Sequence, residues 1–166
     1  IPAFNPATLR IPGVLQRIAL CTLLAAPIAV YFRWRGVLAW IASLLAVYTS
    51  LMLYFPVPGI GAGVLEPGMD FGAWIDRMLL DGHMWAKSKT WDPEGLFTTI
   101  PAVCSMLAGV LTGRWLATAQ SRSVQTLWML AAGVLCVALG MVLDTALMPI
   151  NKSLWSTSYV FLTTGY

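Results

Sequence analysis

The chain has 166 residues, 58% of them hydrophobic and 10% charged, with a mean hydropathy of +0.76. Soluble domains carry about 25% charged residues, so this composition excludes a protein that lives wholly in water and makes the lipid bilayer its first partner. A net charge of +3, scattered along the sequence, excludes nucleic acid as a partner.

The chain starts at Ile1 and stops inside the apolar run YVFLTTGY, which reads as a piece of a longer protein. A membrane-spanning helix needs about 20 mostly apolar residues, and four segments supply them: about 14–32, 37–55, 96–112 and 124–148. A fifth, 154–166, is cut off by the end of the chain. None alternates with the period of two that a barrel strand requires. The expected fold class is therefore all-α, a polytopic transmembrane helix bundle with four complete spans and a truncated fifth, all in one domain.

The connections differ in charge. Loops 33–36 and 113–123 are short and carry Arg33, Arg35, Arg114 and Arg122 with no acid, while loop 56–95 holds six of the seven acids. Alternating helices put both arginine loops on one face, which the positive-inside rule makes cytoplasmic. Loop 56–95 then lies on the outer face with the segments NPATLRIPG and MPINKSLW. Trp34, Trp40, Trp91, Trp115 and Trp155 fall near predicted span ends, where interfacial anchors belong. Within the outer loop, DFGAWIDRMLLDGHMW predicts a short helix with Phe71, Trp74, Ile75, Met78 and Leu79 on one apolar face.

Functional candidates follow in chain order. Arg10 sits at the interface, and Gln16 and Arg17 lie one turn inside the first span, where a charge needs a partner or must snorkel to the surface. Asp144 sits at comparable depth in the fourth span. The two charges either pair, face one wet cavity, or snorkel independently. His83, the lone histidine, stands near Asp81 and fits either a general base or a loop hydrogen bond. In TWDPEGLFTTIPAV, Asp92 reads as an N-cap, Pro93 as the first helical residue and Glu94 as a first-turn acid. The polar residues that follow it, Thr98, Thr99 and Ser105, suit a helix lining a polar cavity, where Glu94 would accept a proton or hold a hydroxyl or amine. Asn151 and Ser153 read as caps of the fifth helix, and Lys152 meets lipid phosphate or an anionic ligand. Cys21, Cys104 and Cys136 read as buried free thiols, and no metal-ligand spacing occurs. Gly109 and Gly113 form a GxxxG pattern that permits close helix packing.

Three clusters in this order, RIPGVLQRIALC, then AWIDRMLLDGHMW…WDPEGLFTTIPAV with LAGVLTGRW, then PINKSLWSTSYVFLTTG, resemble the heparan-α-glucosaminide N-acetyltransferase family, including its bacterial DUF5009-type members. The resemblance runs over essentially the whole chain. It implies an integral membrane acetyltransferase that takes acetyl from cytoplasmic acetyl-CoA and delivers it to the amine of a glucosamine-type sugar on the other face. The family's proposed active histidine lies upstream of the first cluster, so that role is not transferred to His83, and the piece alone is expected to be inactive. The positions matching the family's motifs are Arg10, Gln16, Arg17, Asp76, Arg77, His83, Asp92, Glu94, Asn151, Lys152 and Trp155. They become candidates for lining or supporting the acceptor site, with Glu94 the candidate proton acceptor. Arg33, Arg35, Arg114 and Arg122 become candidates for the CoA nucleotide. The compact loops suggest a bacterial inner membrane, and a homo-oligomer stays open. An amino-sugar transporter is the alternative, because helix breakers and polar residues within spans suit it too.

Overall fold

The computed structural model describes residues 8–166 and is a helix bundle, with no strand among those residues. Six helices follow one another: α1 Val14–Tyr31, α2 Trp34–Tyr54, α3 Phe71–Leu80, α4 Thr99–Leu116, α5 Arg122–Ala146 and α6 Thr157–Gly165. Among them α1, α2, α4 and α5 are long and apolar enough to cross a membrane. The all-α class and the four spans are as expected.

α4 is the hub of the bundle. It packs against α1, α2 and α6, while α5 leans mainly on α6. Two contacts fix the directions. The Arg114 guanidinium, near the end of α4, donates to the carbonyls of Phe32 (3.0 Å) and Ala29 at the end of α1. At the other end, Arg17 in the first turn of α1 reaches Thr98 just before α4 and Trp155 just before α6. So α1, α4 and α6 start together, and the two arginine loops share the opposite end.

α4 starts at Thr99, not near residue 96. Residues 93–98 instead form consecutive turns, with Gly95 N donating to Asp92 O at 2.9 Å and Thr99 N to Leu96 O at 3.2 Å. This start accommodates Pro101, which falls in the first turn, where backbone N–H groups have no intrahelical acceptor to lose. Asp92 is therefore not the cap of the spanning helix. α3 forms where expected and is capped by Asp70, whose carboxylate accepts from Ala73 N at 3.0 Å. Its inward face differs from expectation. Phe71, Ala73, Asp76 and Leu80 are buried, whereas Met78 and Leu79 are exposed. Asp76 turns inward because a backbone donor waits there, and this rotates Met78 and Leu79 outward.

The core under α3 is aromatic. Phe71 sits edge-on to Phe97 at 4.8 Å, and Phe97 stacks on Tyr48 at 5.1 Å. The Tyr48 hydroxyl, fully buried, donates to Leu154 O at 2.6 Å, and Thr49 meets Thr157 at 2.6 Å. These bonds lock the end of α2 to the start of α6. The three cysteines are free, with Cys21 and Cys104 buried and Cys136 half-buried.

The glycines that bring helices together are not those of the GxxxG pattern. Gly109 and Gly113 face open space among the described residues, whereas a Cβ on Gly140 would stand 2.8 Å from Leu162 N and one on Gly133 2.8 Å from Gly165 O. Backbone contact of this kind is how helices associate where no hydrophobic effect separates protein from lipid. Gly140→Val is expected to pry α6 from α5 and cost about 2 kcal/mol or more, lowering the unfolding midpoint in detergent. Gly109→Val, facing open space, is the control, and an equal loss in both variants would refute the seam.

Candidate functional site

The polar residues of loop 56–95 and of the helix starts gather at one end of the bundle. Arg10 bridges two acids. Its Nε and Nη2 donate to the two Asp92 carboxylate oxygens at 2.9 and 2.6 Å, and Nη2 also donates to Glu94 Oε2 at 2.6 Å. The Asp92 side chain has no exposure, against 21% for Glu94 and 34% for Arg10. Asp92 also accepts from Glu94 N at 3.0 Å, so the carboxylate closes its own turn while it holds the arginine. The hydrogen bonds that Arg10 donates to Asp92 hold its guanidinium above its ordinary pKa, helped by Glu94.

One layer below, Asp76 accepts from Leu96 N at 3.0 Å. A Cβ on Gly95 would stand 1.9 Å from Asp76 Oδ2, so only glycine lets the turn close over that carboxylate. Burial pushes the Asp76 carboxyl up to about 6, and nearby Asp92 and Asp70 act in the same direction. Burial also pushes Asp70 up, against the hydrogen bonds it accepts at the start of α3. Arg77 serves the loop's architecture, donating to Gly68 O at 2.5 Å and Thr90 O at 3.1 Å.

Arg17 is 8% exposed. Nη2 donates to Thr98 Oγ1 at 2.5 Å, and the guanidinium carbon lies 4.8 Å from the Trp155 ring centroid. The Trp155 indole N–H donates to Ser105 Oγ at 3.1 Å. Trp155 is thus held within the bundle by a cation and a hydroxyl. Below it, a groove of about 440 Å³ runs between α4 and α6 past Ser105, Gly109, Thr112, Tyr159 and Thr163. Arg17 and Asp144 do not pair: Asp144 accepts from Ile150 N at 2.6 Å and holds the turn after α5.

The remaining candidates are dispersed. His83 Nδ1 bonds Leu9 O at 2.8 Å while Ile11 N donates to His83 O at 3.0 Å, which clasps the segment before α1. Asn151 Oδ1 accepts from Ser153 N and Leu154 N, so it caps a turn, and the cap of α6 is Ser156. Lys152 and Gln16 are exposed. At the far end Arg33, Arg35 and Arg122 are exposed, whereas Arg114 is engaged by the end of α1. Among the described residues no cluster could hold a metal ion. Tyr48 and the Thr49–Thr157 pair were not anticipated. The signal was available in AVYTSLMLYF, where a tyrosine and a threonine stand side by side within an apolar span.

A multi-pass membrane protein with an ion-paired, largely buried polar cluster at one end is the class that these observations define. Its relatives are more particular. The chain is 29% identical over 201 residues to mouse heparan-alpha-glucosaminide N-acetyltransferase and 30% identical over 200 residues to the human protein of that name, with 91% of this chain aligned in each case. The resemblance of the three motif clusters to the heparan-α-glucosaminide N-acetyltransferase family is borne out by these relatives. The chain spans about 30% of the length of each. No family model matches it.

Two outcomes follow from the site. Arg10→Gln leaves Asp92 buried without a counter-charge and is expected to cost about 3–5 kcal/mol, read as a lower unfolding midpoint. Asp92→Asn in the same chain recovers part of that loss, and no recovery would refute the pairing. Asp76 binds its proton more tightly folded than unfolded, so its contribution to stability is full at low pH. That contribution is lost as the pH rises from about 3.8 to about 6, a loss of about 2–3 kcal/mol. Asp76→Asn is expected to remove this slope from a plot of unfolding midpoint against pH, and an unchanged slope would assign it to another group.

Proposed function

We propose that this chain forms the acceptor side of a membrane acetyltransferase that moves acetyl from acetyl-CoA, at the face bearing the arginine loops, to the amine of a glucosamine-type sugar at the opposite face. The observation that carries the reading is the joining of Arg10, Asp92, Glu94, Arg17, Thr98 and Trp155 around the common start of α1, α4 and α6. The relatives' name supports the reaction class. The positive-inside rule supports a cytoplasmic position for loops 33–36 and 113–123, and the compact loops favour a bacterial inner membrane.

The chemistry assigns a role to each side chain. A neutral amine attacks the thioester carbonyl, a C–N bond forms, the C–S bond breaks, and the one proton that the nitrogen gives up balances the one that the departing thiolate takes up. An acceptor must hold that proton as it leaves the nitrogen. Glu94 is suited to accept it, because Arg10 holds Oε2 and leaves Oε1 without a partner among the described residues. Arg10 orients Glu94, while Asp92 and Asp76 hold the turn that carries it. Asn151, Lys152, Gln16 and His83 border this face as supporting candidates for the sugar. At the other end the exposed Arg33, Arg35 and Arg122 match the negative charge of a CoA nucleotide. Arg114 is removed from that set by its bonds to α1. The groove along Ser105, Gly109 and Thr112 leads from the first end toward the second, which suits traffic of a small group.

The test uses the full-length protein in sealed vesicles, with labelled acetyl-CoA on the arginine-loop side and glucosamine on the other. Labelled N-acetylglucosamine is expected on the sugar's side, and Glu94→Gln is expected to slow it by about 10²–10⁴-fold. Unmodified glucosamine crossing with acetyl-CoA untouched would replace this reading with an amino-sugar transporter. Full activity in Glu94→Gln would move the proton acceptor elsewhere.

A further inference from the structure

The turn before α6 ends on a residue that backbone sterics disfavour. Trp155 N donates to Lys152 O at 3.2 Å and Ser156 N to Asn151 O at 3.1 Å. This pair of bonds closes a helical turn on a residue in the left-handed region, a place usually given to glycine. Here it holds a tryptophan, with φ of 53°. A bulky side chain at positive φ is strained, and such strain persists only where the surroundings over-determine it.

The surroundings of Trp155 do so. Its indole N–H donates to Ser105 Oγ at 3.1 Å, the Arg17 guanidinium lies over its ring, and Tyr159 meets it edge-on at 5.4 Å. The preceding carbonyl, Leu154 O, is fixed by the buried Tyr48 hydroxyl at 2.6 Å. What the strain obtains is a position. The groove of about 440 Å³ has two walls, Ser105, Gly109 and Thr112 on one side and Trp155, Tyr159 and Thr163 on the other. Ser105 and Trp155 are the members of those walls nearest the helix starts, and their hydrogen bond crosses the groove there. Arg17 lies against the indole and is bonded in turn to Thr98. The indole therefore stands between the groove and the polar end of the bundle.

We propose that Trp155 is a gate: latched to Ser105 it closes the groove at the end where α1, α4 and α6 begin, and its swing opens the groove to that end. The latch is one neutral hydrogen bond, and the Ser105 hydroxyl keeps a second partner, Pro101 O at 3.4 Å, when the indole leaves. A swing that carries residue 155 out of the left-handed region also relieves its backbone, which offsets the loss of the Arg17 contact. The gate deepens the acetyl-transfer reading and rests on it for naming acetyl as the group that passes. Access to the groove is measured without acetyl-CoA, so either idea can fail while the other stands.

The experiment places a reporter thiol in the groove. Gly109→Cys serves, because a Cβ there meets nothing within 4 Å among the described residues. The full-length protein, with its other cysteines replaced by alanine, is held in sealed vesicles. Sulfonatoethyl methanethiosulfonate, which does not cross the bilayer, is added on the side where α1, α4 and α6 begin. Labelling is expected to be slow with the gate intact, and about tenfold faster in Ser105→Ala and in Trp155→Phe, each of which removes the latch. The double variant is expected to be no faster than either, because both changes break one bond. Trp155→Gly, which suits the backbone and removes the ring, is expected to label fastest. Ser105→Ala leaves the backbone and the indole in place, so it carries the test if a Trp155 variant does not fold. One labelling rate in all variants would overturn the gate, and additive acceleration in the double variant would overturn the latch. No labelling even in Trp155→Gly would show the groove to be filled in the whole protein and would overturn the proposal.

Discussion

A carboxylate with no exposure to solvent must find compensation, and Asp92 finds it in Arg10. That bond reaches back 82 positions to the segment before α1. Once it is made, the segment has little freedom, because His83 grips it at Leu9 and Ile11 from the other side. The entry of α1 into the bundle is then set, and with it the height at which Arg17 meets Thr98 and Trp155. Glu94 depends on the same bond, since the guanidinium that satisfies Asp92 also holds Glu94 Oε2. Loop 56–95 is thus a folded part of the protein and not a tether between spans.

Beneath it, the chain treats its two ends differently. The end where α1, α4 and α6 begin carries buried ion pairs, a glycine pressed against a carboxylate and a desolvated arginine. The opposite end carries solvent-facing arginines, apart from Arg114, which closes the carbonyl end of α1. α4 joins the two, with its small residues Ser105 and Gly109 lining the groove beside α6. A protein that only had to stay in the membrane would not need so much desolvated charge at one end.

The spans were legible in the sequence because hydropathy acts over some twenty residues at once and tolerates local errors. The grouping of Arg10, Asp92 and Glu94 was legible as a set of candidates, through the family's motifs, although not as an ion-paired triad. What escaped was decided by single contacts. α4 starts late because the turns over Asp76 take the backbone of Gly95 and Leu96 first. The inward face of α3 turns on one carboxylate finding the Leu96 N–H, which outweighs the burial of Met78 and Leu79. The contacts of Trp155 escaped because sequence position cannot show the cation an indole stacks on or the hydroxyl it reaches. Arg17 and Asp144 were matched by depth alone, and depth carries no information about which side of a helix faces which neighbour.

α5 has a seam of glycine and a broad outer surface of Leu127, Leu130, Val134, Leu135, Met141 and Val142, all exposed. Acyl chains are as apolar as these side chains, so one aliphatic residue serves there as well as another. Gly133 and Gly140 have no such latitude, because backbone atoms of α6 stand within 3 Å of where a side chain would begin. The helix therefore tolerates substitution unequally around its circumference. A lineage could rewrite most of its outer surface to suit a membrane of different thickness or fluidity while the seam, and the polar end it helps to position, stayed still.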